Sequence, residues 1–200
     1  MEWTAFEDRA RADGFACICG IDEAGRGPLA GPVYAAAVVL HPGQVIDGVN
    51  DSKKLSEKKR EALFDKICTE CAAYGIGMAT EQEIDEINIL NATYLAMQRA
   101  AAALQVTPDC ALVDGNRAPE MPMEVRTIIK GDAQSASIAA ASILAKVSRD
   151  RYMLKMAEEY PQYAFEKHKG YGTKLHYERL EAYGISPIHR RSFLKKWLNR

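Results

Sequence analysis

Gly20-Ile21-Asp22-Glu23-Ala24-Gly25-Arg26-Gly27-Pro28-Leu29-Ala30-Gly31-Pro32 joins an apolar run to a turn rich in glycine and proline. The run, Phe15 to Ile21, predicts a buried strand. It ends on two adjacent carboxylates. Such a pair repels itself and loses hydration on burial unless a cation sits between the charges. Hard divalent ions prefer oxygen ligands of this kind. The glycines that follow let backbone N–H groups come close to an anion or a sugar. The segment therefore points to a metal beside a phosphate. A lone Asp-Glu pair after a strand is more often a turn or a cap, so further ligands have to come from elsewhere in the chain.

Val33–Leu40 reads as a second strand, stopped by His41-Pro42-Gly43. Ser56 predicts the N-cap of a helix of about sixteen residues, with Leu63, Phe64 and Ile67 on its apolar side. Tyr74–Thr80 is a third strand, and Thr80-Glu81-Gln82-Glu83 forms a capping box before an alanine-rich helix that reaches Leu104. Cys110–Val113 and Glu124–Ile129 are strands that run into Asp114 and Asp132. A long helix is expected from Ser135 to Glu159, its first half dense in Ala and Ser. Another spans Lys174 to Tyr183, and Ser186 with Pro187 marks the start of a last short helix. Strands first, then strands alternating with helices, argue an α/β fold on a mixed sheet flanked by helices.

The chain has 200 residues, 48% of them hydrophobic, which suits one domain with a real core. No apolar run approaches a membrane span, and Met1–Asp13 lacks the apolar segment of a signal peptide. The expected compartment is cytoplasmic, with no membrane partner. Five cysteines argue against a full disulfide framework. Cys17-x-Cys19 with Cys68-x-x-Cys71 can be drawn as a zinc site, but both pairs sit in apolar-patterned sequence, which favours buried thiols. The net charge of −1 hides an asymmetry: residues 146–200 carry +7 and the first 145 carry −8. An acidic metal site served by a phosphate-gripping basic surface has this distribution, and so do two plain solvated faces.

Three strand ends thus carry Asp22-Glu23, Asp114 and Asp132. Sites in open α/β sheets gather beyond strand ends near the sheet centre. Four carboxylates there can hold two divalent ions roughly 4 Å apart, the arrangement of two-metal phosphodiester hydrolysis. Lys146 and Arg149, one turn apart on the long helix, are candidates to grip phosphates, as are Lys53 and Lys54. Asp150 is expected to pair with Arg149 or Arg151 at the surface. His168 and His189 could move a proton, although structural roles are the commoner outcome for lone histidines.

Six segments, in order, resemble bacterial ribonuclease HII. They are Gly20–Pro32, Asp51-Ser52-Lys53-Lys54-Leu55, Val113-Asp114-Gly115-Asn116, Gly131-Asp132-Ala133-Gln134-Ser135 continuing to Arg151, His168-Lys169-Gly170-Tyr171-Gly172-Thr173 and Ser186-Pro187-Ile188-His189-Arg190. The resemblance implies a ribonuclease H-like fold with a basic helical segment over residues 160–200 for duplex binding. It implies hydrolysis of RNA in RNA–DNA hybrids and incision 5′ of single ribonucleotides in duplex DNA, leaving 3′-hydroxyl and 5′-phosphate ends. By motif position, Asp22, Glu23, Asp114 and Asp132 match the family's metal-binding acids, served by Mn²⁺ or Mg²⁺. Gly25, Arg26 and Gly27 match the loop that reads the ribose 2′-hydroxyl. Tyr171 matches the aromatic that stacks on the next deoxyribose, and Lys53 and Lys146 are carried over as substrate-binding residues. The related ribonuclease HIII lacks the arginine of Gly-Arg-Gly, which this chain has as Arg26. A monomer without a protein partner is expected. The rivals are another nuclease of this fold, of type 1 or resolvase kind, and a nucleic-acid-binding module without catalysis.

Overall fold

The computed structural model describes residues 2–50, 52 and 55–199. Lys53 and Lys54, expected at the phosphate backbone, and Asp51, expected in a turn, lie outside the described residues.

Five strands form one sheet in the order β3-β2-β1-β4-β5. They are β1 (Ile18–Ala24), β2 (Val33–Val39), β3 (Ala73–Ala79), β4 (Cys110–Asp114) and β5 (Glu124–Ile128). β1, β2 and β3 are antiparallel neighbours, whereas β4 and β5 run parallel to β1. Parallel pairing brings the C-terminal ends of β1, β4 and β5 to one edge of the sheet. Ile21 faces Val113 across the β1–β4 pair, and Asp114 faces Ile128 across β4–β5. The acids that follow these positions in the chain consequently share that edge.

Seven helices are described: α1 (Ala5–Ala12), α2 (Glu57–Glu70), α3 (Glu81–Ala102), α4 (Ala136–Glu159), α5 (Phe165–His168), α6 (Lys174–Tyr183) and α7 (Lys195–Leu198). α3 and α4 cover opposite faces of the sheet. β2 shows why: Val33, Ala35, Ala37 and Val39 pack with Ala92, Ala96, Met97 and Ala100 of α3. Its alternate residues Ala36 and Val38 pack with Ala140, Ile143 and Leu144 of α4. The period of two along a strand sorts one sequence onto two helices. Small side chains on both partners bring α4 against β1 so closely that a Cβ at Gly20 would overlap the backbone of Ser137 and Ile138.

The caps follow the sequence. Ser56 accepts from the Lys59 N–H, and Thr80 and Glu83 make the reciprocal capping box; Ser135, at the expected start of α4, adds a cap the sequence reading did not name by accepting from the Ile138 N–H. Helix α3 absorbs a break at Asn88 (φ 67°, ψ 165°), where the Asn88 side chain accepts from Leu90 and Asn91 and restarts the helix.

Three details differ from expectation. β1 begins at Ile18 and runs through Ala24, so Asp22 and Glu23 lie within the strand, paired with Ala36 and Ala35 of β2. Pro187 starts no helix. The Ser186 backbone N–H donates to His189 Nδ1 (2.8 Å), closing a turn, and the last helix is the four-residue α7. Helix α1 was not signalled by the polar N-terminal sequence. Its Glu7, 2% exposed, accepts from Ser135 Oγ (2.6 Å), Ser137 Oγ (2.6 Å) and the Ser137 N–H (3.0 Å). A carboxylate there serves donors at the start of α4, where a helix favours negative charge.

Candidate active site

Asp22 is 5% exposed, and its Oδ1 accepts from the Glu23 N–H at 2.7 Å. Burial first, then Glu23 and Asp114, and more weakly Asp132, push its carboxyl well above the usual carboxylate range. That influence of three other acids on one carboxyl shows that the strand ends bring all four into one electrostatic neighbourhood. Asp114, at the end of β4, accepts from the Gly131 N–H through Oδ1 (2.6 Å). This ties β4 to the short 3-10 segment Gly131–Ala133 that carries Asp132, itself 5% exposed. Glu23 faces Arg26, whose Nη1 lies 3.4 Å from Oε1.

Among the described residues no three His, Cys, Asp or Glu side chains are drawn up to metal-ligand distance. The donor set nonetheless fits a hard divalent ion. It is all carboxylate oxygen, and the like charges that raise Asp22 would be offset by a cation among them.

A cleft of about 250 Å³ is lined by Asp22, Glu23 and Asp114 together with Gly25, Arg26, Gly27, Lys146 and Tyr171. A second, of about 380 Å³, shares Glu23, Arg26 and Asp114 and extends to Asn116 and Arg117. Tyr171 is 43% exposed, with Arg149 5.7 Å from its ring centre. Lys146 reaches the cleft wall while its Nζ bonds Asp150 Oδ1 at 2.7 Å.

Two expectations are corrected here. Asp150 is 5% exposed and pairs with Lys146, not with Arg149 or Arg151, because a four-residue step stacks side chains on one helix face. Arg149 is 1% exposed and donates to the carbonyls of Pro32 (3.2 Å) and Ala30 (3.1 Å), so it braces a turn and grips no phosphate. Arg151 bonds Glu61 and lies over Phe64, away from the cleft.

The two halves of the zinc-like cysteine pattern go separate ways. Cys17 and Cys19 belong with the α3 side of the core, Cys68 and Cys71 with the α4 side. All five thiols are free. Burial raises Cys19 to about 12 and Cys71 to about 11, far from the thiolate state that binds a metal or attacks a substrate.

Three of the four histidines, His168, His176 and His189, form a buried cluster behind Tyr171. His168 and His176 stack at 4.3 Å, and His176 Nε2 lies 3.0 Å from His189 Nε2. Burial drives all three below their ordinary range, His176 to about 4 and His189 to about 3. Glu166 and Lys169 are the charged groups near His168, and His168 and His176 are themselves the neighbours that further lower His189. The folded state resists protons that the unfolded chain accepts below pH 6.5, so stability should fall as pH drops from 6.5 towards 4. Urea unfolding should show a loss on the order of 2–4 kcal/mol between pH 7 and pH 5. His176→Gln should flatten that slope, and an unchanged slope in the variant would contradict the assignment.

With the geometry in place, comparison with known proteins identifies the class. The crystal structure of the ribonuclease H2 from Pyrococcus horikoshii OT3 superposes with a TM-score of 0.74 at 30% identity, covering 88% of this chain and 93% of that one. The ribonuclease HII of Archaeoglobus fulgidus, in its complex with PCNA, superposes at 0.68 with 27% identity, over 88% and 94% of the two chains. The fold is that of a ribonuclease H-type nuclease. The family model described as Ribonuclease HII matches residues 19–196. Ribonuclease HII of Caldicellulosiruptor bescii is 57% identical over 193 residues, 96% of this chain and 94% of that protein. The chain belongs to the ribonuclease HII family, and is an endoribonuclease acting on RNA–DNA hybrids.

Arg190 is the site residue that residue-type reasoning missed. It lies beneath the glycine loop, 0% exposed. Its position in the Ser186–Arg190 motif was visible, but an arginine in a basic segment carries no sign that it is buried.

Proposed function

We propose that this enzyme incises duplex DNA on the 5′ side of embedded ribonucleotides as well as cutting RNA in hybrids, with a divalent ion, Mg²⁺ or Mn²⁺, held by Asp22, Glu23, Asp114 and Asp132. The supporting observation is one cleft that joins three of those carboxylates to Gly25-Arg26-Gly27 and Tyr171. Bound metal would supply an activated water and offset charge on the leaving 3′ oxygen. The chain's own residues orient the strand. The loop at 25–27 offers backbone groups to a ribose 2′-hydroxyl, which is the chemical difference between RNA and DNA. Tyr171 presents a ring face to the following sugar. Lys146, and Lys53 by motif position, offer cations to the phosphates. The basic segment 160–200 lies along the duplex.

The test is cleavage of a duplex holding a single ribonucleotide, with Mg²⁺, Mn²⁺ and chelator in parallel. One incision 5′ of the ribonucleotide with either metal, and none in chelator, is the expected result. Cleavage confined to long RNA–DNA stretches would instead favour a type 1 activity. Tyr171→Ala should lower kcat/KM at the single ribonucleotide by about 10- to 100-fold, the worth of a stacking contact of about 1–3 kcal/mol. Duplex affinity, carried mostly by phosphate contacts, should change by less than about threefold. Equal losses in binding and cleavage would argue against a positioning role for the ring.

A further inference from the structure

Arg190 is fully buried, and the hydrogen bonds of its guanidinium all go to main-chain carbonyls. Nη2 donates to Gly25 O at 2.6 Å, Nη1 to Arg26 O at 3.0 Å and Nε to Gly31 O at 2.8 Å. The guanidinium also lies over the Phe193 ring, 5.1 Å from its centre, yet no carboxylate among the described residues bonds it, and a buried cation is an expensive way to fill space, since an apolar side chain of similar volume avoids the desolvation. What guanidinium adds is a rigid planar fork.

That fork sets the direction of two consecutive peptide planes. In a trans peptide the C=O and the next N–H point in opposite directions. With the carbonyls of Gly25 and Arg26 aimed at Arg190, the N–H groups of Arg26 and Gly27 are aimed away from it. Neither N–H meets an acceptor among the described residues. The same loop lines the cleft beside Asp22.

The turn that carries Arg190 also reaches Tyr171. The Ser186 N–H occupies His189 Nδ1, so His189 donates through Nε2 to His176 Nε2. His176 therefore carries its proton on Nδ1 and donates it to Tyr171 O at 2.9 Å. The partners fix each tautomer, and the chain of bonds is complete only with neutral rings. The turn is itself seated on the glycine loop: Gly31 N–H donates to Ile188 O (2.9 Å) and Arg190 N–H to Leu29 O (2.8 Å).

We infer that the turn Ser186–Arg190 is a brace that holds the two substrate-reading elements in register, Arg190 setting the peptide planes of Gly25-Arg26-Gly27 and His189, through His176, setting the backbone at Tyr171. These are positioning residues for ribose selection. The inference rests on the reading of the 25–27 loop given under Proposed function.

Arg190→Lys replaces three fixed donors with one flexible charge. The assay compares a duplex containing one ribonucleotide with the same duplex carrying 2′-fluoro at that sugar, at a temperature below the measured melting transition of both proteins. The wild type should favour the ribonucleotide strongly. In R190K that preference should shrink about tenfold, and kcat/KM on the ribonucleotide should fall about 10- to 100-fold, with duplex Kd within about threefold. A wild type that cleaves both sugars equally would overturn the loop reading itself. A discriminating wild type with an equally discriminating R190K would overturn the brace alone. The other arm is independent of whether R190K folds. His176→Asn keeps a donor where Nδ1 stood, whereas His176→Gln does not. H176N should retain most activity and H176Q should lose about tenfold in kcat/KM at similar Kd. Equal losses in the two variants would overturn the brace.

Discussion

Asp22→Asn should reduce cleavage by at least about a thousandfold while leaving the protein folded. The side chain keeps its shape, and its remaining oxygen can still accept from the Glu23 N–H, the bond seen at 2.7 Å. What disappears is one negative charge from a neighbourhood of four. Because burial, Glu23 and Asp114 already disfavour ionised Asp22, removing that charge relieves repulsion. In chelator, D22N should therefore unfold at the same temperature as the wild type or higher, by the equivalent of up to about 1 kcal/mol. The pairing of the two outcomes is diagnostic. A purely architectural Asp22 would lose stability on substitution and keep its rate. Retained activity in D22N, measured on a single-ribonucleotide duplex, would refute the proposed ligand set.

Gly20→Ala should be strongly destabilising although it adds a single methyl group. The added Cβ would overlap backbone atoms of Ser137 and Ile138, which cannot rotate away as a side chain would. Either β1 moves within the sheet or the start of α4 moves off it, and Glu7 ties that start in place. Overpacking of this kind typically costs about 1–3 kcal/mol, and the backbone setting puts this case at or beyond the upper end. The melting temperature should drop by roughly 6–12 °C for a chain of this length. Melting within about 2 °C of the wild type would show that the sheet and α4 can separate more easily than their packing implies.

The acids were legible as candidates in the sequence because they close apolar runs, and the end of a strand is a place in space as well as in the chain. Parallel pairing of β1, β4 and β5 turned three separated positions into one edge. Capping residues were legible for a similar reason, since Ser56 and Thr80 act within three residues of themselves. The illegible parts are long-range. Nothing local distinguishes Arg149, which is buried, from Arg151, which is 45% exposed by side chain. Nothing local tells that Ser186-Pro187 will close a turn on His189 instead of opening a helix. Both outcomes depend on the glycine loop lying nearby to receive them. The family resemblance did mark these segments as belonging together, without saying what each residue does.

The bond between Arg190 and Gly25 spans 165 positions of the chain. A contact at that separation has to wait for most of the molecule, because loop closure is unfavourable until intervening structure has shortened the path. The sheet edge with its carboxylates can assemble from β1, β4 and β5 beforehand. Folding should thus produce the proposed metal-binding edge first and the proposed sugar-reading brace last. Unfolding from the C-terminal side would remove them in the opposite order, leaving for a time an edge of acids without the proposed selector.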